Sequence, residues 1–230
     1  MLAAGRAARY AMAMMLMTLD GPERPPAAGG APESLVVLLH GLGADGDDLI
    51  ELAPHWAGLL PKTQFLSPHA PFPCDMAPYG RQWFSLQDRD PVRVLAGVRA
   101  AAPLLDAYLD AQLARFSLPP GRLALVGFSQ GTMMSLYVAP RRPAAIAGVV
   151  GYSGALVGAD ASDLASRPPV LLVHGTADQV VPFQMMAAAE RALAAAGIAV
   201  ETLARPGLPH SIDPAGLQAG GAFLRRVLTT

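Results

Sequence analysis

The sequence predicts an α/β fold, a mostly parallel central sheet with helices on both faces and no large cap domain. Three observations carry this expectation. Short runs of consecutive apolar, partly β-branched residues recur, among them Val36–Leu39 and Val170–Val173, each too short for a helix and bounded by Gly or Pro. Such runs suit strands buried on both faces. Longer stretches with apolar residues at helical spacing lie between them. The two kinds alternate along the chain, and alternation of strand and helix means a parallel sheet covered on both sides.

In order, "DGPERPPAAGGAP" from Asp20 to Pro32 reads as turn or linker, because Pro and Gly dominate it. Val36–Leu39 is the first buried strand. A loop rich in Gly and Asp follows, then "DDLIELAPHWAGLL" reads as a helix with Asp47 or Asp48 at its N-cap. Gln64 to Ser67 suits a short strand. The remainder, to "GRQWFSL", reads as a long irregular loop with several prolines and aromatics, and long loops in compact domains tend to be functional. Val92 to Phe116 is a long helical pattern, with Val94, Leu95, Val98, Ala102, Leu105, Leu109, Leu113 and Phe116 at steps of three and four. Pro103 interrupts it, so a kink or a fresh helix start is expected there. "RLALVGF" is the next strand, with a helix after Ser129; Ile146–Val150 and Val170–Val173 are strands. "FQMMAAAERALAAAG" is a helix ending at Gly197, "AVETLARPG" a strand, and "PHSIDPAGLQAGGAFLRRVL" a loop with a last helix.

The chain has 230 residues, 52% of them hydrophobic, and a formal net charge of -1. One domain with a sizeable core follows from length and composition. No long Lys/Arg run points to nucleic acid or to an anionic membrane. The single cysteine, Cys74, excludes an intrachain disulfide framework and is compatible with a reducing compartment. As a nucleophile Cys74 would lack a Gly-x-Cys-x-Gly setting, and it sits in a Pro-rich loop. The start, "MLAAGRAARYAMAMMLMTL", has Arg6 and Arg9 before an apolar stretch, Ala11 to Leu19. That resembles a weak targeting segment, but no convincing cleavage site follows, and the stretch is far short of the roughly 18 residues of a membrane helix. Residues 1–30 are therefore expected to be a disordered leader, with translation from a later Met such as Met17 as one reading, and residues 31–230 a single catalytic domain.

Chemistry concentrates in Gly127-Phe128-Ser129-Gln130-Gly131, between a strand and a helix. Gly-x-Ser-x-Gly in that setting is the nucleophile elbow of α/β-hydrolases. The turn is sharp and strained, and glycine two residues away on either side relieves the crowding. The pattern alone is weak; its weight depends on the partners following in the order Ser, acid, His. Of His40, His55, His69, His174 and His210, only His174 and His210 follow Ser129. His174 precedes the best acid by four residues, which is the wrong order. His210, in "GLPHSID" after the last strand, can reach back as a base. Asp160, Asp163, Asp178, Glu190 and Glu201 lie between. Asp178 comes just after a strand, where catalytic groups of open α/β sheets gather, whereas Glu190 falls mid-helix and Glu201 within a strand. An oxyanion hole needs two backbone donors: the N–H of Gln130, after the nucleophile, and that of Leu42, in "HGLGADG", where Gly41 and Gly43 let the chain turn. As a phosphate cradle the same loop would lack a Gly-Lys-Ser/Thr ending, and Asp45, Asp47 and Asp48 would repel phosphate.

Together, "LLHGLGADGDDL", "GRQWFSL", "GFSQGTMMSL", "GYSGAL", "HGTADQVVP" and "LPHSID" resemble the phospholipase/carboxylesterase family, which includes acyl-protein thioesterases. The resemblance runs from about Ser34 to near the C-terminus and implies an α/β-hydrolase fold. It places a triad on Ser129, Asp178 and His210 and oxyanion donors on Leu42 and Gln130, the positions reached above from the residues. It implies serine hydrolysis of carboxylic esters, lysophospholipids or acyl thioesters, without metal or cofactor. Trp83 and Phe84 look like the family's lining of the acyl site, with Phe72, Met76 and Tyr79 beside them; the alternative is that Trp83 and Phe84 only anchor a long loop to the core. Thr132 stands where members often carry Gly, a departure on the helix not expected to alter the chemistry. The expected function is a cytoplasmic serine carboxylesterase acting on short- to medium-chain esters through an acyl-enzyme. Lysophospholipase or acyl-protein thioesterase activity is the alternative; a dienelactone hydrolase-like enzyme, a peptidase and a non-catalytic binding protein on the same fold are further rivals. The expected partner is a small ester or lipid, with no nucleic acid and no integral membrane segment. Exposed apolar segments near the loop would permit a homodimer.

Overall fold

The computed structural model describes residues 18–158 and 163–229. In chain order the strands are β1 (Glu23–Arg24), β2 (Ser34–Leu39), β3 (Thr63–Leu66), β4 (Phe72–Pro73), β5 (Arg81–Gln82), β6 (Leu123–Phe128), β7 (Gly148–Tyr152), β8 (Val170–Gly175) and β9 (Val200–Arg205). The α-helices are α1 (Gly46–Leu49), α2 (Ala53–Ala57), α3 (Pro91–Phe116), α4 (Gln130–Val138), α5 (Gln184–Ala195) and α6 (Pro214–Leu228). A seven-stranded sheet runs β1-β3-β2-β6-β7-β8-β9, parallel throughout except for β1, and β4 and β5 form a small antiparallel ribbon.

The apolar runs fill both faces of the sheet, and the pleat sorts them. Leu35, Val37 and Leu39 of β2 face a core shared with α3, α4 and α5, while Val36 and Leu38 face a second core shared with α1, α2 and α6. β6 divides likewise, Leu123 and Leu125 to the first core, Ala124 and Val126 to the second. Polar groups tie the layers: the Trp56 indole N–H on α2 donates to Leu217 O on α6 (2.9 Å), and the buried Arg142 guanidinium, just after α4, pairs with Asp106 and Asp110 of α3.

Several local expectations are corrected. The helix expected over "DDLIELAPHWAGLL" breaks into α1, a 3₁₀ turn at Ile50–Leu52 and α2; its cap is Asp45, whose carboxylate accepts from the N–H groups of Asp47 and Asp48. Pro103 causes no break, and α3 is continuous. Pro103 lies on the exposed face of α3, where water can satisfy the carbonyl that its missing N–H leaves free. Residues 18–30, expected within the disordered leader, hold an edge strand: Glu23 and Arg24 pair antiparallel with Leu66 and Phe65, and Arg115 of α3 grips Glu23. The rest of that leader, residues 1–17, and Asp160 lie outside the described residues. No helix among the described residues is long and apolar enough to cross a membrane.

The chain winds outward from β2 to β3 in one direction and from β6 to β9 in the other. The order reverses between β2 and β6. Crevices at such reversals, beyond the carboxyl ends of the strands, are where open α/β sheets bind ligands.

Candidate active site

Ser129 sits at that reversal, between β6 and α4, with φ 53° and ψ -113°. A non-glycine residue there is strained and persists only where its surroundings over-determine it. Here the restraints are visible. Ser129 N–H donates to Tyr152 O (2.9 Å), and the Thr132 hydroxyl lies 2.8 Å from Gly127 O and 2.9 Å from Tyr152 O, a three-centre bond beneath the elbow. The flanking glycines are sterically required: a Cβ on Gly131 would lie 1.8 Å from Leu39 O, and one on Gly127 2.4 Å from Thr132 N. Thr132 thus braces the turn, a role its position on a helix did not disclose.

Asp178 follows β8 and His210 follows β9. The two loops are bonded together: Ala177 N–H donates to Leu208 O (3.0 Å), Thr176 N–H to Arg205 O (3.0 Å) and Gly207 N–H to Thr176 Oγ1 (2.9 Å). On the far side, Arg205 pairs with Asp213, which caps α6 through Gly216 N–H, so the segment carrying His210 is stapled at both ends. His210 Nδ1 thereby lies 2.7 Å from Asp178 Oδ2. The other carboxylate oxygen, Oδ1, accepts from Val180 N–H and Val181 N–H, both at 2.9 Å. The Asp178 side chain is fully buried. Burial alone would raise its pKa, but the hydrogen bonds from His210, Val181 and Val180 outweigh it and hold the carboxyl below its ordinary value. A carboxylate can only accept, so Nδ1 of His210 carries a proton and, in the neutral ring, Nε2 keeps its lone pair. The Phe128 ring packs against the imidazole, centroids 4.8 Å apart.

The backbone N–H groups of Leu42 and Gln130 make no hydrogen bond among the described residues. Leu42 follows β2, and its loop is held from below. Ala70 N–H donates to His40 Nε2 (2.9 Å), so Nδ1 is the protonated nitrogen and donates to Gly41 O (2.7 Å). Burial lowers the His40 pKa to about 4, chiefly by desolvation of the charged form.

Gly41, Leu42, Ser129 and His210 line one cavity of about 830 Å³, whose walls include Leu86, Val94, Leu95, Met133, Leu156 and Val157. Val92, Val180 and Met185 also line it and are exposed, which puts them at its mouth. The aromatic residues expected to line an acyl site do not reach it. Trp83 is fully buried beneath the Leu42 loop, its indole N–H donating to His40 O (3.1 Å). Phe84 packs on Gly97 of α3. Phe72 belongs to the β4–β5 ribbon, and Met76 and Tyr79 project into solvent. The Gln130 side chain explains the arrangement: its Oε1 accepts from Trp83 N–H (2.8 Å) and its Nε2 donates to Phe84 O (2.7 Å), clamping that loop against the elbow. Beside Phe128 and Met133, the apolar lining comes from within residues 86–95, 155–158 and 180–185, which hydrophobicity alone did not single out.

The sequence profile of the phospholipase/carboxylesterase family matches residues 27–228. The chain belongs to this family. It is accordingly a hydrolase with the α/β-hydrolase fold. Among curated relatives, acyl-protein thioesterase 1 of Schizosaccharomyces pombe is 30% identical over 213 residues, covering 86% of this chain and 92% of the relative. Esterase YpfH of Escherichia coli K12 is 28% identical over 208 residues, covering 90% and 86%. Among solved structures, esterase PE8 superposes with a TM-score of 0.88 at 41% identity, covering 92% of this chain and 100% of that one.

Outside the cavity, ligand atoms of Asp45, Asp47 and His69 lie within 4.8 Å of one another. Asp45 is engaged in capping α1, and His69 Nδ1 accepts from Gly46 N–H (3.1 Å), which accounts for the cluster as local structure.

Proposed function

We propose that this family member is a serine carboxylesterase acting through an acyl-enzyme, with Ser129 as nucleophile, His210 as general base and Asp178 as the group that orients it. The observation that carries the reading is the 2.7 Å contact between His210 Nδ1 and Asp178 Oδ2, beside a strained Ser129 on the wall of the same cavity. His210 Nε2 takes the Ser129 proton as Oγ attacks the ester carbonyl carbon. The oxyanion settles between the N–H groups of Leu42 and Gln130, which have no other acceptor among the described residues. His210 then gives its proton to the departing alkoxide. A water enters, loses a proton to His210 and attacks the acyl carbonyl; as the acyl–Oγ bond breaks, His210 returns the proton to Ser129 and the carboxylic acid departs.

The apolar walls of the cavity suit a short- to medium-chain acyl group, with the leaving group toward the mouth. Acyl-thioester hydrolysis is the second reading, favoured by the relationship to acyl-protein thioesterase 1 and by a leaving-group side open to solvent at Val92 and Val180.

Ser129→Ala is expected to lower kcat on p-nitrophenyl esters by at least about 10³-fold and to abolish labelling by a fluorophosphonate. Undiminished turnover, or a label on another residue, would sink the assignment. A panel of p-nitrophenyl esters of rising acyl length, with a lysophospholipid and an acyl thioester alongside, separates the readings by relative kcat/KM.

A further inference from the structure

His174 lies at the end of β8, four residues before Asp178, and its side chain is buried. The order of the triad leaves it no part as the base. Its ring nevertheless reaches the acid. Nε2 lies 2.9 Å from Val181 O and 3.2 Å from Asp178 Oδ2. A carbonyl oxygen only accepts, so Nε2 carries a proton and donates it to Val181 O, with the Asp178 carboxylate in close polar contact beside that N–H.

The bonds close a ring. Val181 N–H donates to Asp178 Oδ1, while His174 Nε2–H faces both Val181 O and Asp178 Oδ2. Oδ1 is held by the loop backbone and Oδ2 by His210, with His174 Nε2 packed beside Oδ2 and bonded to the same loop through Val181 O. Without His174, the loop whose N–H groups hold Oδ1 would lose its bond to the sheet through Val181 O. The imidazole also stands on firmer ground than the loop. It projects from a strand paired on both sides, by β7 and by β9, and Phe183 packs edge-on against it, centroids 6.0 Å apart. Val181 and Pro182 of the tethered loop line the cavity.

Resting on the assignment of Asp178 and His210 above, we infer that His174 is a positioning residue for the ester-cleaving reaction: its Nε2–H, bonded to Val181 O beside Asp178 Oδ2, pins to the sheet the 178–181 loop whose N–H groups hold the Asp178 carboxylate facing His210. Its effect passes through Asp178, and it does not touch the substrate.

The test is a double-mutant cycle read by steady-state kinetics on a p-nitrophenyl ester. His174→Leu removes the donor and should lower kcat roughly ten- to a hundredfold with KM changed less than about twofold. His174→Gln can place an amide N–H near the position of Nε2 and should recover most of that loss. In an Asp178→Asn background, where the carboxylate is already gone, His174→Leu should cost no more than about twofold further. A purely structural role would give the same fold-loss in both backgrounds, no rescue by Gln, or a parallel fall of kcat and KM performance; any of these overturns the inference. If His174→Leu does not fold, His174→Asn, whose shorter amide falls short of Val181 O, takes its place in the cycle with the same expectations. Full activity of Ser129→Ala overturns the triad itself, whereas inactive Ser129→Ala with fully active His174→Leu overturns only this proposal.

Discussion

His40 shows how a residue outside the candidate triad can make the stability of the fold depend on pH. It is buried under the Leu42 loop as the neutral tautomer, accepting from Ala70 N–H and donating to Gly41 O. Its folded-state pKa, about 4, lies below the ordinary 6.5, so the unfolded chain takes up the proton first as pH falls. His40 therefore lends its full stability above about pH 6.5 and loses it progressively between about 6.5 and 4, up to about 3 kcal/mol. Urea denaturation across that window should show wild-type stability falling with pH and a shallower slope for His40→Gln, whose side chain does not titrate. Gln130 makes the complementary point. Its backbone N–H is a candidate oxyanion donor by the elbow pattern alone. The job of its side chain was not, because its partners, Trp83 N–H and Phe84 O, are 47 and 46 residues away. Gln130→Leu strands both buried groups and should cost about 2–4 kcal/mol in a urea titration, with esterase activity falling as the clamped loop loosens.

At the scale of elements, the buried strands were the most legible part of the chain. A run such as Val36–Leu39 has one way to bury every residue, between two layers of helix, and β2, β6 and β8 fall where the apolar runs lie. Helix boundaries were less legible. The α1–α2 region carries a continuous helical pattern, yet Asp45 caps it earlier and a 3₁₀ turn divides it. In α3, by contrast, Pro103 faces solvent and is tolerated. The loop before α6 belongs to this scale too. Asp213 caps the helix through Gly216 N–H and pairs with Arg205, so it holds the segment bearing His210 while lying outside the candidate triad. Asp213→Ala should therefore do two things: destabilise the fold by about 1–2 kcal/mol through the lost cap and lower kcat more than it raises KM. Thermal denaturation and steady-state kinetics on one protein sample check both.

At the scale of the whole molecule, the sheet is held between two layers, and Arg142 is the charged tie within one of them. It is buried, while Asp106 and Asp110 on α3 remain partly open to water. That asymmetry predicts unequal variants. Asp106→Asn with Asp110→Asn leaves a buried guanidinium without its carboxylates and should cost about 2–4 kcal/mol. Arg142→Met fills the space, frees two carboxylates that can reach water, and should cost less; urea denaturation of the two proteins decides the order. The candidate triad was legible because it depends on order along the chain and on which residues end strands, both properties of the sequence itself. The acyl-site lining was not: Trp83 and Phe84 have the right composition but are drawn under the Leu42 loop by hydrogen bonds to His40 and Gln130, and the cavity is walled by side chains from several separate segments. The sequence by itself determined the alternation of strand and helix, the glycine-flanked elbow and the succession Ser129, Asp178, His210, because each follows from local sterics, periodicity or chain order. Only the tertiary structure decided which side chains wall the cavity, because they come from separate segments that meet only when the sheet is assembled, and that His174 reaches Asp178, because that contact depends on how the loop after β8 folds back on its strand.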